Sequence, residues 1–404
     1  MGALSHIKVL DLSRVLAGPF AAQILGDLGA DVIKIEKPVE GDETRRYGPP
    51  FLSTEDGRGD AAYFLSANRN KRSVTIDFAH PEGAALIRRL ARRSHVVIEN
   101  FKTGTLARYG LDYASLSAEN PALVYCSLTG FGQDGPYKDK SGYDYLIQGM
   151  AGLMSITGQA DGTPGGEPMR VGVAVSDLFT GLYSTIAIQA ALIHQARTGE
   201  GQWIDMALFD CQTAALANQA MNYLVSGEPP GRQGNSHPNI VPYQVFATAD
   251  GHMILAIPND GQFRRFCAAA GLADLANDPR FVDNPRRVEH RKALIDCLQP
   301  VLAGRTTAQW ISLLEAANVP CGPINRLDQL FADPQSLARG HRITMSHSAA
   351  GPISLVASPL RLAKSPPSYR RAPPLLGEHT FEVLRGELSL DADQIRALHS
   401  QGII

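Results

Sequence analysis

The chain has 404 residues, too many for one ordinary hydrophobic core, and its 44% apolar and 19% charged content excludes wholesale disorder. With 38 Lys and Arg against 40 Asp and Glu the formal net charge is −2, so no global positive field recruits nucleic acid or an anionic membrane, and a polyanionic ligand must be held by a local basic cluster. The five cysteines (Cys126, Cys211, Cys267, Cys297 and Cys321) are scattered, odd in number and never spaced CxxC, which argues against a disulfide framework or a zinc site and points to a reducing compartment, the cytoplasm.

The opening MGALSHIKVLDLSRV lacks the basic region, apolar stretch and small-residue cleavage site of a signal peptide. Over residues 7–12, 31–36, 95–100 and 122–128 the chain shows short β-branched runs bounded by polar residues, the pattern of buried strands. Between them, residues 19–28 and 80–93 carry apolar side chains at spacings near three and four, and Pro81 sits where a helix starts. This alternation implies a parallel sheet covered by helices.

Residues 152–168, GLMSITGQADGTPGGEP, read as loop, and a helix is expected from about Ser176. Its stretch 171–193 is apolar but carries Asp177 and small polar residues, so it reads as a buried helix, and no run approaches the roughly 20 apolar residues that span a bilayer. QWIDMAL (202–208) is a further strand, followed by an Ala-rich helix over 209–225 and a polar linker at 227–239. The run VPYQVFATADGHMILAI reads as a hairpin turning at Asp250-Gly251, followed by helices, and the tail from 331 is proline-rich before a last helical stretch. The expected division is a large α/β domain over 1–226, a small α+β domain over 227–330, and a C-terminal strap over 331–404.

A P-loop, a GxGxxG turn, HExxH, GxSxG and paired metal-ligand clusters are all missing from the sequence, which leaves carboxylate chemistry. The blocks DLSRVLAGPFAAQILGDLGADVIKIEKP, GDETRRYGPP, NRNKRSVTIDF, VIENFKTGTLARYGL, SLTGFGQDGPY, GYD, VGVAVSDLFTGLY, VPCGPIN and PPLLGEHT follow one another over nearly the whole chain. In these blocks the sequence resembles the class III CoA-transferase family, closest to its succinyl-CoA:glutarate branch.

The resemblance implies a Rossmann-like large domain, a smaller domain, and two subunits interlocked as a homodimer. It implies that coenzyme A is a substrate, with no metal or nucleotide cofactor, and that CoA passes from an acyl-CoA to a carboxylic acid, a dicarboxylate in this branch. Asp177 occupies the position of the family's catalytic aspartate, which forms an aspartyl anhydride and then an aspartyl-CoA thioester. Its expected place near a helix start favours an ionised carboxylate. Asp144 is expected to position or protonate the leaving group, or to be a helix N-cap. By the same resemblance Val15, Ala17, Lys37, Ile76, Asn100, Phe101 and Arg108 bind CoA, while Arg69, Lys71 and Arg72 add charge or form a solvated basic loop.

Arg170 and His237 are candidates for holding a second substrate carboxylate, since an unpaired buried charge is costly. Tyr143 stands where the related α-methylacyl-CoA racemases have a histidine base. A phenol near pKa 10 replaces imidazole poorly, so racemase chemistry is the alternative activity, and a non-catalytic CoA-binding subunit is a third.

Overall fold

A computed structural model describes residues 2–55 and 57–404. The chain divides into two compact units, the first formed by Met1–Leu153, Val171–Val225 and Gln335–Ile404, the second by Met154–Arg170 and Ser226–Pro334.

In the first unit six strands form one sheet in the order Lys71–Thr75, Asp31–Glu36, Lys8–Asp11, Val96–Glu99, Val124–Thr129, Gln202–Ala207. Every pair is parallel. In chain order this is 3-2-1-4-5-6, so the strand order reverses between Lys8–Asp11 and Val96–Glu99, and in open sheets of this kind ligands bind beyond the carboxyl ends of the strands at that reversal. The segments leaving those two ends, residues 12–17 and 100–103, are therefore where a site is expected.

Side chains alternate between the two faces of the sheet. Leu10, Ile33, Ile35, Val97 and Tyr125 join one buried cluster, with Leu86, Ile87 and Leu90 of the Pro81–Ala91 helix. Val9, Val32, Val96, Ile98 and Cys126 join the other, with Leu25 of the Ala17–Asp27 helix and Ile188 and Leu192 of the Val175–Thr198 helix. Each fully buried aliphatic side chain contributes roughly 1.5–3 kcal/mol, which fixes both helix layers. Val383, Leu384 and Ile403 of the C-terminal segment fill the first of these clusters, and the N–H of Asp77 donates to the carbonyl of Ile403 at 2.7 Å.

The second unit has a three-stranded antiparallel sheet, Cys321–Pro323, His252–Ala256 and Tyr243–Ala247, packed by helices around Phe246, Phe263, Phe266 and Trp310. The hairpin turns at Asp250-Gly251 as the sequence indicates, and Asp250 Oδ1 also accepts the N–H of Thr307, the first residue of a later helix, at 2.7 Å. Among the described residues no helix is long and apolar enough to cross a membrane.

The Ala-rich helix expected over 209–225 is instead two helices, Leu208–Ala215 and Ala217–Ser226, because Ala217 takes φ +46°. Alanine is the best helix former, so composition carries no signal of this break.

Candidate active site

The turn that leaves the first strand is clamped at nearly every polar atom. The N–H of Ser13 donates to Asp11 Oδ1 at 3.0 Å, and the carbonyl of Ser13 accepts from Lys34 Nζ at 2.8 Å. Asn100, at the end of the fourth sheet strand, accepts the N–H of Arg14 at 2.8 Å and donates to its carbonyl at 2.7 Å. The N–H of Val15 donates to Asp42 Oδ1 at 3.3 Å. Val15 itself has φ +68°, a conformation that costs a β-branched residue on the order of 1–3 kcal/mol.

Past this turn the Ala17–Asp27 helix opens with no side-chain cap. Among the described residues the backbone N–H groups of Leu16, Ala17 and Gly18 have no partner, and Pro19 has no N–H to satisfy. An uncapped helix start of this kind offers donors and a partial positive charge to an anion.

Asp177 is the third residue of the Val175–Thr198 helix. Four residues on, on the same helix face, is Gly181, where a Cβ would lie 2.8 Å from the carbonyl oxygen of Ala17. The absent side chain lets the two helices approach at this level, and it brings Asp177 to the turn. A second close approach is made by Gly130 and Gly142, where a Cβ on either would come within 2.5 Å of the other's Cα. This contact seats the loop that leads into Tyr143.

A cavity of about 170 Å³ joins these parts, with Val15, Leu16, Ala17, Asn100, Tyr143 and Asp177 in its wall. A neighbouring cavity of about 230 Å³ is lined by Lys37, Ile76 and Phe78, and Arg14, Glu43 and Phe101 belong to both. Phe101 stands edge-on to Phe78 at 5.3 Å and lies under the Arg14 guanidinium at 4.8 Å, while Arg14 pairs with Glu43. The two cavities thus bring together Val15, Ala17, Asn100, Phe101, Tyr143 and Asp177 at one end, and Lys37 and Ile76 at the other. Arg108 is exposed on a short 3-10 turn and lines neither. Lys37 pairs with Glu40 at 2.7 Å.

The charge distribution departs from the sequence expectation. Asp144 Oδ1 accepts the N–H of Ser176 at 2.8 Å and that of Asp177 at 3.4 Å, and Asp144 Oδ2 accepts from Gln148 Nε2 at 2.7 Å. It is therefore Asp144, the first residue of its own helix, that takes the donors at the start of the Asp177 helix. The carboxylate of Asp177 accepts no hydrogen bond from a described residue. Burial, reinforced by the Asp144 charge, pushes the Asp177 carboxyl up to about 7, so the helix start does not hold it in the ordinary carboxylate range.

Sequence reasoning missed two phenols here. Burial and the charges of Asp177 and Asp144 push Tyr63 up to about 12, and its ring meets Tyr47, on the cavity wall, edge-on at 5.7 Å. Both are neutral donors at working pH. It also missed the cavity's own cations, Lys102, Lys138 and Lys140 beside Arg14; the run YKDKSGYD carried that signal.

Arg69, Lys71 and Arg72 form neither a CoA-binding patch nor a solvated loop. They are buried: Arg69 pairs with Asp27 at 2.6 Å, Lys71 with Asp11 at 2.9 Å, and Arg72 with Asp31 at 2.5 Å. These carboxylates sit on the neighbouring strands and helix and claim the cations before any ligand does. Removing one partner of a buried pair strands the other charge, at about 3–5 kcal/mol. Arg69→Ala is therefore expected to lower unfolding free energy by about that amount in a denaturant titration while CoA affinity stays at its wild-type value. The opposite pattern, weaker CoA binding at unchanged stability, would return Arg69 to the ligand.

Arg170 and His237 belong to the second unit. Arg170 is exposed, and His237 is half-buried, with Nδ1 accepting from Asn239 N at 3.1 Å, its carbonyl from Arg291 at 2.8 Å, and its ring tilted on Tyr243 at 5.2 Å. Among the described residues no group of three or more His, Cys, Asp or Glu is placed to hold a metal ion.

Comparison with known proteins gives a consistent result. The family model described as CoA-transferase family III matches residues 4–380. The succinate–glutarate CoA-transferase of Agrobacterium fabrum is 53% identical over 382 residues, 94% of this chain and 94% of that protein. The succinyl-CoA:glutarate CoA-transferase of Homo sapiens is 42% identical over 99% of this chain and 90% of its own length. Among solved structures, a CaiB/BaiF family protein from Brucella suis superposes with a TM-score of 0.84 at 49% identity, covering 96% of this chain and 99% of that one.

Proposed function

Because this chain belongs to CoA-transferase family III, a family of enzymes, we propose that it moves coenzyme A from succinyl-CoA to glutarate through covalent intermediates on Asp177. The observation that carries this reading is one cavity holding a desolvated carboxylate, Asp177, that has no hydrogen-bond donor among the described residues, beside the N–H groups of Leu16 and Ala17, which have no partner among them either.

A carboxylate stripped of donors is a stronger nucleophile than a solvated one. An Asp177 oxygen attacks the thioester carbonyl of succinyl-CoA, and the negative oxygen of the tetrahedral intermediate is met by the donors at the start of the Ala17–Asp27 helix. The C–S bond breaks, CoA leaves as the thiolate, and a succinyl-aspartyl anhydride remains. The thiolate attacks the aspartyl carbonyl, releasing succinate and leaving an aspartyl-CoA thioester. Glutarate then repeats the two steps in reverse order and departs as glutaryl-CoA, with the Asp177 carboxylate restored. One thioester replaces another, so no external energy source enters.

The nucleotide end of CoA is assigned to the cavity of Ile76, Lys37 and Phe78, and the thioester to the cavity of Asp177. Arg14, Lys102, Lys138 and Lys140 supply positive charge for the CoA phosphates and for the distal carboxylate of a dicarboxylic substrate. Large apolar side chains stand exposed on the helices of the first unit, among them Tyr145, Leu146, Ile186, Ile193, Leu224 and Val225. Apolar exposure of this extent supports a homodimer. The undisulfided cysteines support a reducing compartment, the cytoplasm.

Incubation with labelled succinyl-CoA and glutarate, without ATP, is expected to give glutaryl-CoA and free succinate in equal amounts. Light scattering is expected to give twice the chain mass of 43.5 kDa. Failure of glutaryl-CoA to form, with exchange of the α-proton of a branched acyl-CoA instead, would replace this activity by a racemase.

A further inference from the structure

The donors at Leu16 and Ala17 follow a backbone shape that Val15 does not adopt of its own accord, so something must hold it. Val15 has φ +68°, a region that glycine enters freely and β-branched residues avoid. Its N–H reaches Asp42 Oδ1 at 3.3 Å. That oxygen also accepts the N–H of Thr44 at 3.0 Å and its hydroxyl at 2.7 Å, while Asp42 Oδ2 accepts from Lys34 Nζ at 2.9 Å.

Asp42 and Lys34 are both completely shielded at the side chain. Lys34 reaches back to the same turn through the carbonyl of Ser13 at 2.8 Å. The support continues into the sheet, because the N–H of Asp42 donates to Glu36 Oε2 at 2.9 Å, and Glu36 is gripped by Arg45 at 2.7 and 2.8 Å. Burial opposes the charge on Asp42, but Lys34 and the Thr44 donors outweigh it and hold the carboxyl at about 2. A buried ion pair is generally no more stabilising than apolar residues of the same volume, so a pair kept beneath a strained turn at a cavity wall calls for a reason in geometry.

We propose that Asp42, backed by Lys34, is a positioning residue that holds Val15 in the left-handed backbone conformation and thereby keeps the Leu16 and Ala17 donors facing Asp177. Its consequence for catalysis rests on the function proposed above, whereas the structural coupling between Asp42 and Val15 does not.

The test is a double-mutant cycle between the buried pair and the turn. Lys34→Met with Asp42→Ala removes the pair without stranding a charge. Alone, it is expected to lower kcat for CoA transfer by about 100- to 1,000-fold, the range for losing one transition-state donor, with KM for acyl-CoA changed less than about threefold. Adding Val15→Gly, which takes the left-handed conformation without steric cost, is expected to recover at least about fivefold of that kcat. In wild-type background Val15→Gly should leave the thermal midpoint unchanged or raised, and the loss of midpoint caused by removing the pair should be smaller when Val15→Gly is present.

Equal losses of kcat and of midpoint with and without Val15→Gly would overturn the proposal, as would a rise in KM with kcat unchanged. If the pair deletion does not fold, Asp42→Asn enters the same cycle with the same expected and overturning outcomes. The thermal half needs no substrate. A protein that transfers no CoA but shows the coupling has lost the proposed activity and kept the role of Asp42, while transfer without coupling does the reverse.

Discussion

Asp177→Asn is expected to abolish CoA transfer and, at pH 8, to make the protein more resistant to heat. The amide keeps the shape of the side chain but is no nucleophile, so kcat should fall on the order of 10⁴-fold or more, as when a covalent catalyst is removed. The gain in stability follows from the same carboxyl. In the folded chain it titrates at about 7 because burial, and then the Asp144 charge, oppose ionisation; in the unfolded chain it titrates near the ordinary value of about 3.9.

For a group whose folded pKa is raised, the favourable contribution is complete below the unfolded value and is lost as pH climbs to the folded value. The wild type at pH 8 therefore carries the whole penalty of a desolvated charge, and the asparagine variant carries none. The difference in thermal midpoint should shrink as pH is lowered from 8 and vanish near pH 4. Equal midpoints at pH 8 would show that the carboxylate is comfortably solvated, and the basis of its reactivity would go with that. Hydroxylamine added during turnover should convert Asp177, and no cysteine, to a trapped adduct that peptide mass mapping locates. An Asp177 left unmodified by hydroxylamine while the enzyme turns over would end the aspartate scheme.

The sheet was largely legible because its signals are local. Residues 31–36 form the expected strand over that same range, and residues 202–208 shorten by one residue to Gln202–Ala207. What failed was whatever depended on partners distant in the chain. Lys71 and Arg72 read as exposed charge, since nothing nearby in sequence marks Asp11 or Asp31, 60 and 41 residues away, as their counterions. The strand Lys71–Thr75 went unrecognised for the same reason: a strand whose polar side chains are all satisfied by neutralising neighbours lacks the apolar run that announces burial. In the site, the helix start beneath Asp177 was foreseeable from SDLFTG, whereas its capture by Asp144, 33 residues earlier, was visible only once the two helices met. Val15 in a left-handed conformation had no sequence signal at all, because a valine there contradicts the rule that places glycine at such positions.

The capture of that helix start by Asp144 sets the pH dependence. The profile of kcat/KM reports the free enzyme, and the nucleophile is the ionised form. With Asp177 titrating at about 7, kcat/KM for succinyl-CoA should climb through neutral pH, with roughly a tenth of the plateau remaining at pH 6 and roughly a hundredth at pH 5. An unperturbed carboxylate would show a flat profile over that range. Asp144→Asn keeps an oxygen for the N–H groups of Ser176 and Asp177 and removes the negative charge, together with the acceptor that Gln148 Nε2 uses. Without that like charge Asp177 ionises more readily, so the acid limb should move to lower pH and the variant should retain a larger share of its own plateau at pH 6 than the wild type does. Burial is the larger of the two causes and survives the substitution, so the limb should stop short of the ordinary carboxylate range. If Asp144→Asn leaves the limb where it was, Asp144 serves the helix start alone and has no electrostatic hold on the nucleophile. If the wild-type limb itself lies near pH 4, Asp177 of the free enzyme titrates as an ordinary solvated carboxylate, and desolvation is not the source of its reactivity.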